Sequence, residues 1–296
     1  MLRSPERQQP VGSDALLDYS VWNRKIEGLV RAYEEARPFP HAVLSPLLLP
    51  EIIGQLEKDV PSATAEGWTH YKHFNERKQG KSRRDEMPES ILGVIDELNS
   101  ERFRALLSRL TGVADLLPDE DFSAGGGLSL CERSGFLNIH TDFTVHPYHP
   151  NWRRRVNLIF YLNHDWDEAW GGHTELWDSD VSGCAARIAP HANTALVFNT
   201  DIPSYHGHPE PLACPEGVAR KTLALYYFTE EDDPVSLGTL YRPRPTDGWL
   251  RRTLIVVDRT LVGIYHALKQ RLGISDAFAS GVLARLSSLA KRSSRR

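Results

Sequence analysis

Two short segments of the chain have residue types that could hold a metal ion. One is Leu-Asn-Ile-His-Thr-Asp, ending at Asp142, and the other is Ser-Tyr-His-Gly-His, ending at His208. Residues two apart on a strand share a face, so His140 and Asp142 can both reach one ion while Thr141 points away. The third ligand must come from elsewhere. His206 follows the apolar run Thr194–Asn199 and a turn containing Pro203, and His208 is the alternative for the same place. Two imidazoles and one carboxylate make the facial triad that holds Fe(II) and leaves coordination positions open for dioxygen. A donor set without sulfur suits Fe(II) or Mn(II) better than a structural zinc.

Arg220 and Thr222 lie further along, at the start of the apolar segment Thr222–Phe228. An α-keto diacid can chelate iron through its keto and C1 carboxylate oxygens, and its distal carboxylate then needs a permanently charged, forked donor. Arg220 suits that task. Thr222 shares its strand face and adds a hydroxyl, and Tyr161 is a candidate third donor. These residues describe a site for Fe(II) and 2-oxoglutarate.

The stretch from Gly125 to Thr229 resembles the prolyl 4-hydroxylase-like branch of the Fe(II)/2-oxoglutarate-dependent oxygenases. Five segments match in order: Gly135–Asp142, Arg155–Asn163, Gly171–Leu176, Ser204–His206 and Arg220–Thr222. The resemblance implies that His140, Asp142 and His206 bind the metal, that Arg220 binds 2-oxoglutarate and that Tyr161 assists. It implies dioxygen as the second cosubstrate, and it extends to ascorbate as an auxiliary reductant. The stretch between His206 and Arg220, filled by Pro209–Gly217, is longer than the family pattern and leaves the choice between His206 and His208 open.

The elements that must position these residues are legible as patterns. Apolar residues recur at helical spacing over Leu16–Tyr33, Ile52–Leu56 and Ile91–Leu98, which predicts a helical buttress over 15–112. Short β-branched and aromatic runs separated by Gly, Pro, Asn and Asp predict a jelly-roll core over 122–230. The fold class is therefore α+β: a double-stranded β-helix (jelly roll) core with N-terminal helices and a C-terminal helical extension. One oxygenase domain is expected over 15–232, after a mobile tail at 1–14. Gly125, Gly126 and Gly127 read as an opening hinge, and Gly171-Gly172 as a tight strand entry beside the pocket. No lysine follows that pair in the frame a phosphate loop requires, which excludes nucleotide binding. Trp152, Trp166, Trp170 and Trp177 are candidates for a substrate groove, and so is the His146–Arg155 loop, with its rings and arginines. His146, His149, His164, His173 and His191 are expected at the surface or around the site.

Charge is segregated. The net charge of the 296-residue chain is −4, yet Arg242–Arg296 holds twelve lysines and arginines against three acids, +9, leaving −13 for the rest. Leu250 to Leu272 recur at helical spacing, and a second helix is expected from about Ser275, giving a basic helical extension over 240–296. Such an extension could meet an anionic membrane or a nucleic acid. Three cysteines without metal-type spacing read as reduced thiols. With no apolar run of spanning length and no cleavable leader, a cytoplasmic protein is expected.

The function expected from these residues is hydroxylation of an unactivated C–H bond, in peptidyl or free proline or in a small metabolite, with release of succinate and CO2. Because Asp142 fills the carboxylate position, no coordination site is vacated for halide, so hydroxylation is expected over halogenation. The competing expectation is a metal-binding jelly roll without turnover, a sensor or scaffold targeted by its basic tail.

Overall fold

The computed structural model describes residues 16–201 and 203–272. The expected N-terminal tail and the second C-terminal helix lie outside the described residues, as do the side chains from 261 onward. The chain runs α1 (Tyr19–Glu35), β1 (His41–Leu44), α2 (Pro50–Asp59), β2 (Thr69–Lys72), β3 (Glu76–Lys81), α3 (Glu89–Asn99), α4 (Glu101–Thr111), β4 (Leu117–Pro118), β5 (Gly127–Glu132), β6 (Phe136–Thr141), β7 (Trp152–Tyr161), β8 (Thr174–Trp177), β9 (Cys184–Ile188), β10 (Thr194–Asn199), β11 (Tyr205–His208), β12 (Ala219–Glu230), β13 (Leu240–Tyr241) and α5 (Trp249–Leu272).

Among the described residues the strands form one antiparallel sheet in the order β1-β10-β7-β12-β5-β3-β6-β11-β8-β9, with β2, β4 and β13 added at β3, β12 and β6. Strands far apart along that order touch through their side chains. Tyr161 of β7 donates to Thr174 of β8, and Asn157 of β7 donates to Asp142 just past β6. The sheet is therefore folded over on itself into the expected jelly roll, nearly closed. The stretch expected to be helical contributes more than a buttress. β1, β2 and β3 lie within it, and their short polar segments, such as Glu76–Lys81, carry little of the apolar alternation that marks a strand.

The alternation of β12 separates support from chemistry. Leu223, Leu225 and Tyr227 face outward and pack with Leu158 and Phe160 of β7 against the helices, in one core with Trp22, Ile26, Ile91, Ile95, Phe103 and Leu107. Arg220, Thr222, Ala224 and Tyr226 face inward and line a cavity of about 140 Å³. Side chains two apart on a strand share a face, so the apolar packing of one set fixes the direction of the other. The helices have ordinary start and stop signals. Asp18 caps α1 by accepting from the Ser20 and Val21 N–H groups, Ser100 caps α4, and Gly112 ends α4 in the left-handed conformation.

Candidate active site

His140 and His206 sit directly opposite each other on neighbouring antiparallel strands β6 and β11. Their ring centroids are 4.5 Å apart. Asp142, just past the end of β6, brings its carboxylate to 3.6 Å from both Nε2 atoms. One ligand atom from each of the three residues lies within 4.8 Å of the others. His208 is not in this cluster, so His206 is the histidine the fold brings to the pair.

The two rings are fixed by the same kind of hydrogen bond, with their planes tilted 44° to each other. His140 Nδ1 is 2.9 Å from the Asn138 carbonyl, and His206 Nδ1 is 2.9 Å from the Ser204 carbonyl. With Nδ1 donating to a backbone oxygen two residues back, the lone pair of each Nε2 is turned toward the shared point, the orientation a metal-binding imidazole needs. Burial, and then the electrostatic effect of the neighbouring His140, push the His206 pKa down to about 4, which keeps its ring neutral and available. Burial works to raise the Asp142 pKa, but Arg154 and the two histidines hold the carboxyl well below its usual range. The residues present therefore fit a hard or borderline divalent ion with nitrogen and carboxylate ligands, as Fe(II) is.

Asp142 is held from behind. Asn157 Nδ2 donates to Asp142 Oδ2 at 2.7 Å, and Arg154 Nε donates to Asn157 Oδ1 at 2.7 Å. The Arg154 guanidinium is 1% exposed and stacks 3.4 Å from the Tyr226 ring. Its Nη2 lies 3.1 Å from Asp142 Oδ2 without the alignment of a hydrogen bond. A bulge explains why this arginine, of three in a row, turns inward. The β7–β12 register shifts between Tyr227↔Val156 and Phe228↔Arg154, which puts Arg154 on the same face as Asn157. Arg153 and Arg155 instead pair with Asp201 and Glu231.

The other end of the cavity carries Arg220. Its Nε donates to the Gly172 carbonyl at 2.7 Å and its Nη2 to Thr174 Oγ1 at 2.9 Å. The Tyr161 hydroxyl reaches the same Thr174 oxygen at 2.7 Å, and the Arg220 guanidinium lies 5.3 Å from the Tyr161 ring. Arg220 and Thr222 line the cavity, whereas Tyr161 is fully buried behind Thr174. Gly172 makes this placement possible. It has φ +77°, and a Cβ there would lie 2.8 Å from Leu212 Cδ2 and 3.1 Å from Arg220 Cδ. Lys78 and His208 line the same region, with the Lys78 ammonium 2.9 Å from Glu76 Oε2. Burial, followed by the charges of Arg220 and Lys78, keeps His208 neutral, with its pKa well below the usual value.

Several expectations need correction. None of Trp152, Trp166, Trp170 and Trp177 lines the cavity. Trp166 packs with Trp170, Cys131 and Leu212, Trp177 packs with Ile139 and Tyr205, and Trp152 stacks on His149. Apolar packing accounts for each of them. His146 is buried, not superficial, 3.3 Å from Asp119 Oδ1 and 3.2 Å from Ser123 Oγ. The His146–Arg155 loop contributes one residue to the cavity lining, Arg154. Arg154, Asn157, Tyr226, Thr174 and Lys78 were missing from the expected set. For Asn157 the signal was present: a polar residue in an otherwise apolar run, one residue out of step with the core positions Val156, Leu158 and Phe160.

Residues 126–228 match the model of the 2OG-Fe(II) oxygenase superfamily. A mouse protein, prolyl 3-hydroxylase OGFOD1, is 27% identical over 144 residues, covering 47% of this chain and 24% of the relative. The chain thus spans about a quarter of that protein's length. Among solved structures, a Pseudomonas putida prolyl-4-hydroxylase is similar at 16% identity and a TM-score of 0.48, over 69% of this chain and 99% of that one. A Trichoplax adhaerens prolyl hydroxylase, solved with a hypoxia inducible factor peptide fragment, gives 15% identity and a TM-score of 0.49, over 71% and 91%. The family's cofactor and cosubstrates are Fe(II), 2-oxoglutarate and dioxygen, and the His-Asp-His donor set fits that iron. Over residues 126–228 the chain is therefore similar to the 2OG-Fe(II) oxygenase superfamily, and the geometry of its His-Asp-His set agrees with that match.

Proposed function

We propose that the protein is an Fe(II)- and 2-oxoglutarate-dependent dioxygenase that hydroxylates an unactivated C–H bond and releases succinate and CO2. The observation that carries this reading is the convergence of His140, Asp142 and His206 in a buried cavity whose far end holds Arg220. His140, Asp142 and His206 hold the metal, while Asn138 and Ser204 fix the two ring orientations through their carbonyls. Asn157 and Arg154 keep the Asp142 carboxylate aimed at it. Arg220 and Thr222 take the distal carboxylate of the cosubstrate, and Tyr161 and Gly172 hold that guanidinium through Thr174 and a backbone carbonyl. Leu128, Leu137, Ile159 and Ala224 give the cavity apolar walls that limit water around the reacting atoms. When bound, the ferrous ion supplies the redox chemistry that couples dioxygen and 2-oxoglutarate to C–H oxidation, and the chain supplies placement and shielding.

The activity named for the mouse relative supports a prolyl residue in a peptide, or free proline, as the first substrate class, with small metabolites next. Among the described residues no helix is long and apolar enough to cross a membrane. A cytoplasmic setting, with ascorbate as auxiliary reductant, belongs to the same reading, because it keeps ferrous iron and the three free thiols reduced. The test is succinate release from 2-oxoglutarate by the Fe(II)-loaded protein, screened against prolyl peptides, free proline and a metabolite library. We expect stimulated release with at least one substrate and none with a His140→Ala protein. Tight metal binding without decarboxylation under any of these conditions would favour the sensor or scaffold instead.

A further inference from the structure

Among the described residues His208 is a polar ring without a hydrogen-bond partner, in a place where such rings are normally satisfied. It is 6% exposed, its Nδ1 is fully shielded from solvent without a hydrogen bond, and neither ring nitrogen has a hydrogen-bond partner among the described residues. His206, two residues earlier on the same strand, differs in having its Nδ1 on the Ser204 carbonyl. Both rings line the cavity. Because they are two residues apart on one strand, His208 lies about 6.6 Å further along the same face. That is the span of a five-carbon diacid running away from the metal.

The strand pairing commits His208 to this position. β11 and β6 change register between His206↔His140 and His208↔Leu137, so three residues of β6 are spanned by two of β11. Gly207 permits the close approach, since a Cβ there would lie 2.7 Å from the Leu137 carbonyl oxygen and 2.8 Å from that of Asn138. The ring then shares the end of the cavity with Arg220, Thr222 and Lys78. Lys78 is paired with Glu76, and the Arg220 guanidinium has its Nε and one Nη2 hydrogen engaged with Gly172 and Thr174. A carboxylate has about four lone-pair sites. What remains of one guanidinium meets two of them in its plane, and Thr222 can meet a third.

We propose that His208 belongs to the cosubstrate site and donates an N–H hydrogen bond to the distal carboxylate of 2-oxoglutarate, beside Arg220 and Thr222. This rests on the oxygenase reading and adds a donor specific to this chain's Ser-Tyr-His-Gly-His segment. It also gives the buried ring the partner it lacks.

The test is calorimetric titration of the Mn(II)-loaded full chain, which binds without turnover, with 2-oxoglutarate and with 2-oxobutyrate, which lacks the distal carboxylate. His208→Leu is expected to weaken 2-oxoglutarate binding by ~10-fold or more, as for a hydrogen bond to a charged group. Affinities for Mn(II) and 2-oxobutyrate should stay within about threefold of wild type, well short of that loss. His208→Gln, which keeps a side-chain N–H, should recover most of the 2-oxoglutarate affinity, and it carries the test if the leucine protein does not fold. Unchanged 2-oxoglutarate binding by His208→Leu would overturn the proposal, as would equal losses for both keto acids or a parallel loss of Mn(II). Failure of wild type to bind 2-oxoglutarate at all would overturn the oxygenase reading, and this proposal with it.

Discussion

The two ends of the cavity treat their polar atoms differently. At the metal end the protein has already oriented the ligands: both Nδ1 atoms meet a backbone carbonyl, and Asp142 accepts from Asn157 beside Arg154. At the far end Arg220 is fixed on one edge by Gly172 and Thr174, but the His208 ring lines the cavity without a hydrogen-bond partner among the described residues. An end built to present lone pairs to a cation can be completed from within the chain. One built to present N–H groups to an anion keeps donors in reserve, and those are satisfied when the ligand arrives.

Asp142→Ala should break the contrast most severely. It removes a proposed metal ligand and leaves the Arg154 guanidinium buried without its anion, a change that costs about 3–5 kcal/mol where a buried pair loses one partner. Metal titration and thermal melting of the metal-free protein should both register it. A melt equal to wild type would mean that Arg154 does not depend on Asp142. The metal end should also be sensitive to pH. The His206 pKa falls from 6.5 to about 4 in the folded chain, so the unfolded chain binds the extra proton between those values. Stability is therefore complete above about pH 6.5 and erodes as pH falls toward about 4, by on the order of 3 kcal/mol from this group. Melts of metal-free protein across that window measure it, and a His206→Gln protein should lose much of the slope.

Arg220→Met addresses the opposite end. It should weaken 2-oxoglutarate binding by ~30-fold or more, the loss of charge-assisted hydrogen bonds, while leaving Mn(II) affinity near wild type. A matching loss of metal affinity would mean that the two ends are not separable. Asn157→Leu sharpens the comparison by removing an orienting partner and no ligand. Metal affinity should fall by ~10-fold, at the low end for residues that support a metal ligand, as measured by competition with a chelator.

Much of this contrast was legible in the residues. The spacing of His140 and Asp142 follows from the period of a strand, and the helices α1, α2 and α3 follow from apolar recurrence. The choice of His206 over His208 was not legible, since both lie on one face of β11 and only the pairing with β6 puts His206 opposite His140. Nor was Arg154, because a bulge between β7 and β12 decides which of three consecutive arginines turns inward, and local pattern does not encode a bulge. The polar strand β3 escaped notice for a related reason. It is held by pairing with β2, β5 and β6, and it contributes Lys78 to the cavity. The tryptophans misled because large rings signal burial before they signal a binding groove.

The account's central claim is that one ion held by His140, Asp142 and His206 is what 2-oxoglutarate binds against. Calorimetric titration of wild-type and His140→Ala protein with Mn(II), followed by 2-oxoglutarate, tests it most directly. The account predicts one ion per wild-type chain, 2-oxoglutarate binding that requires that ion, and loss of both in His140→Ala. Equal 2-oxoglutarate affinity with and without the ion, or full metal binding by His140→Ala, would contradict it.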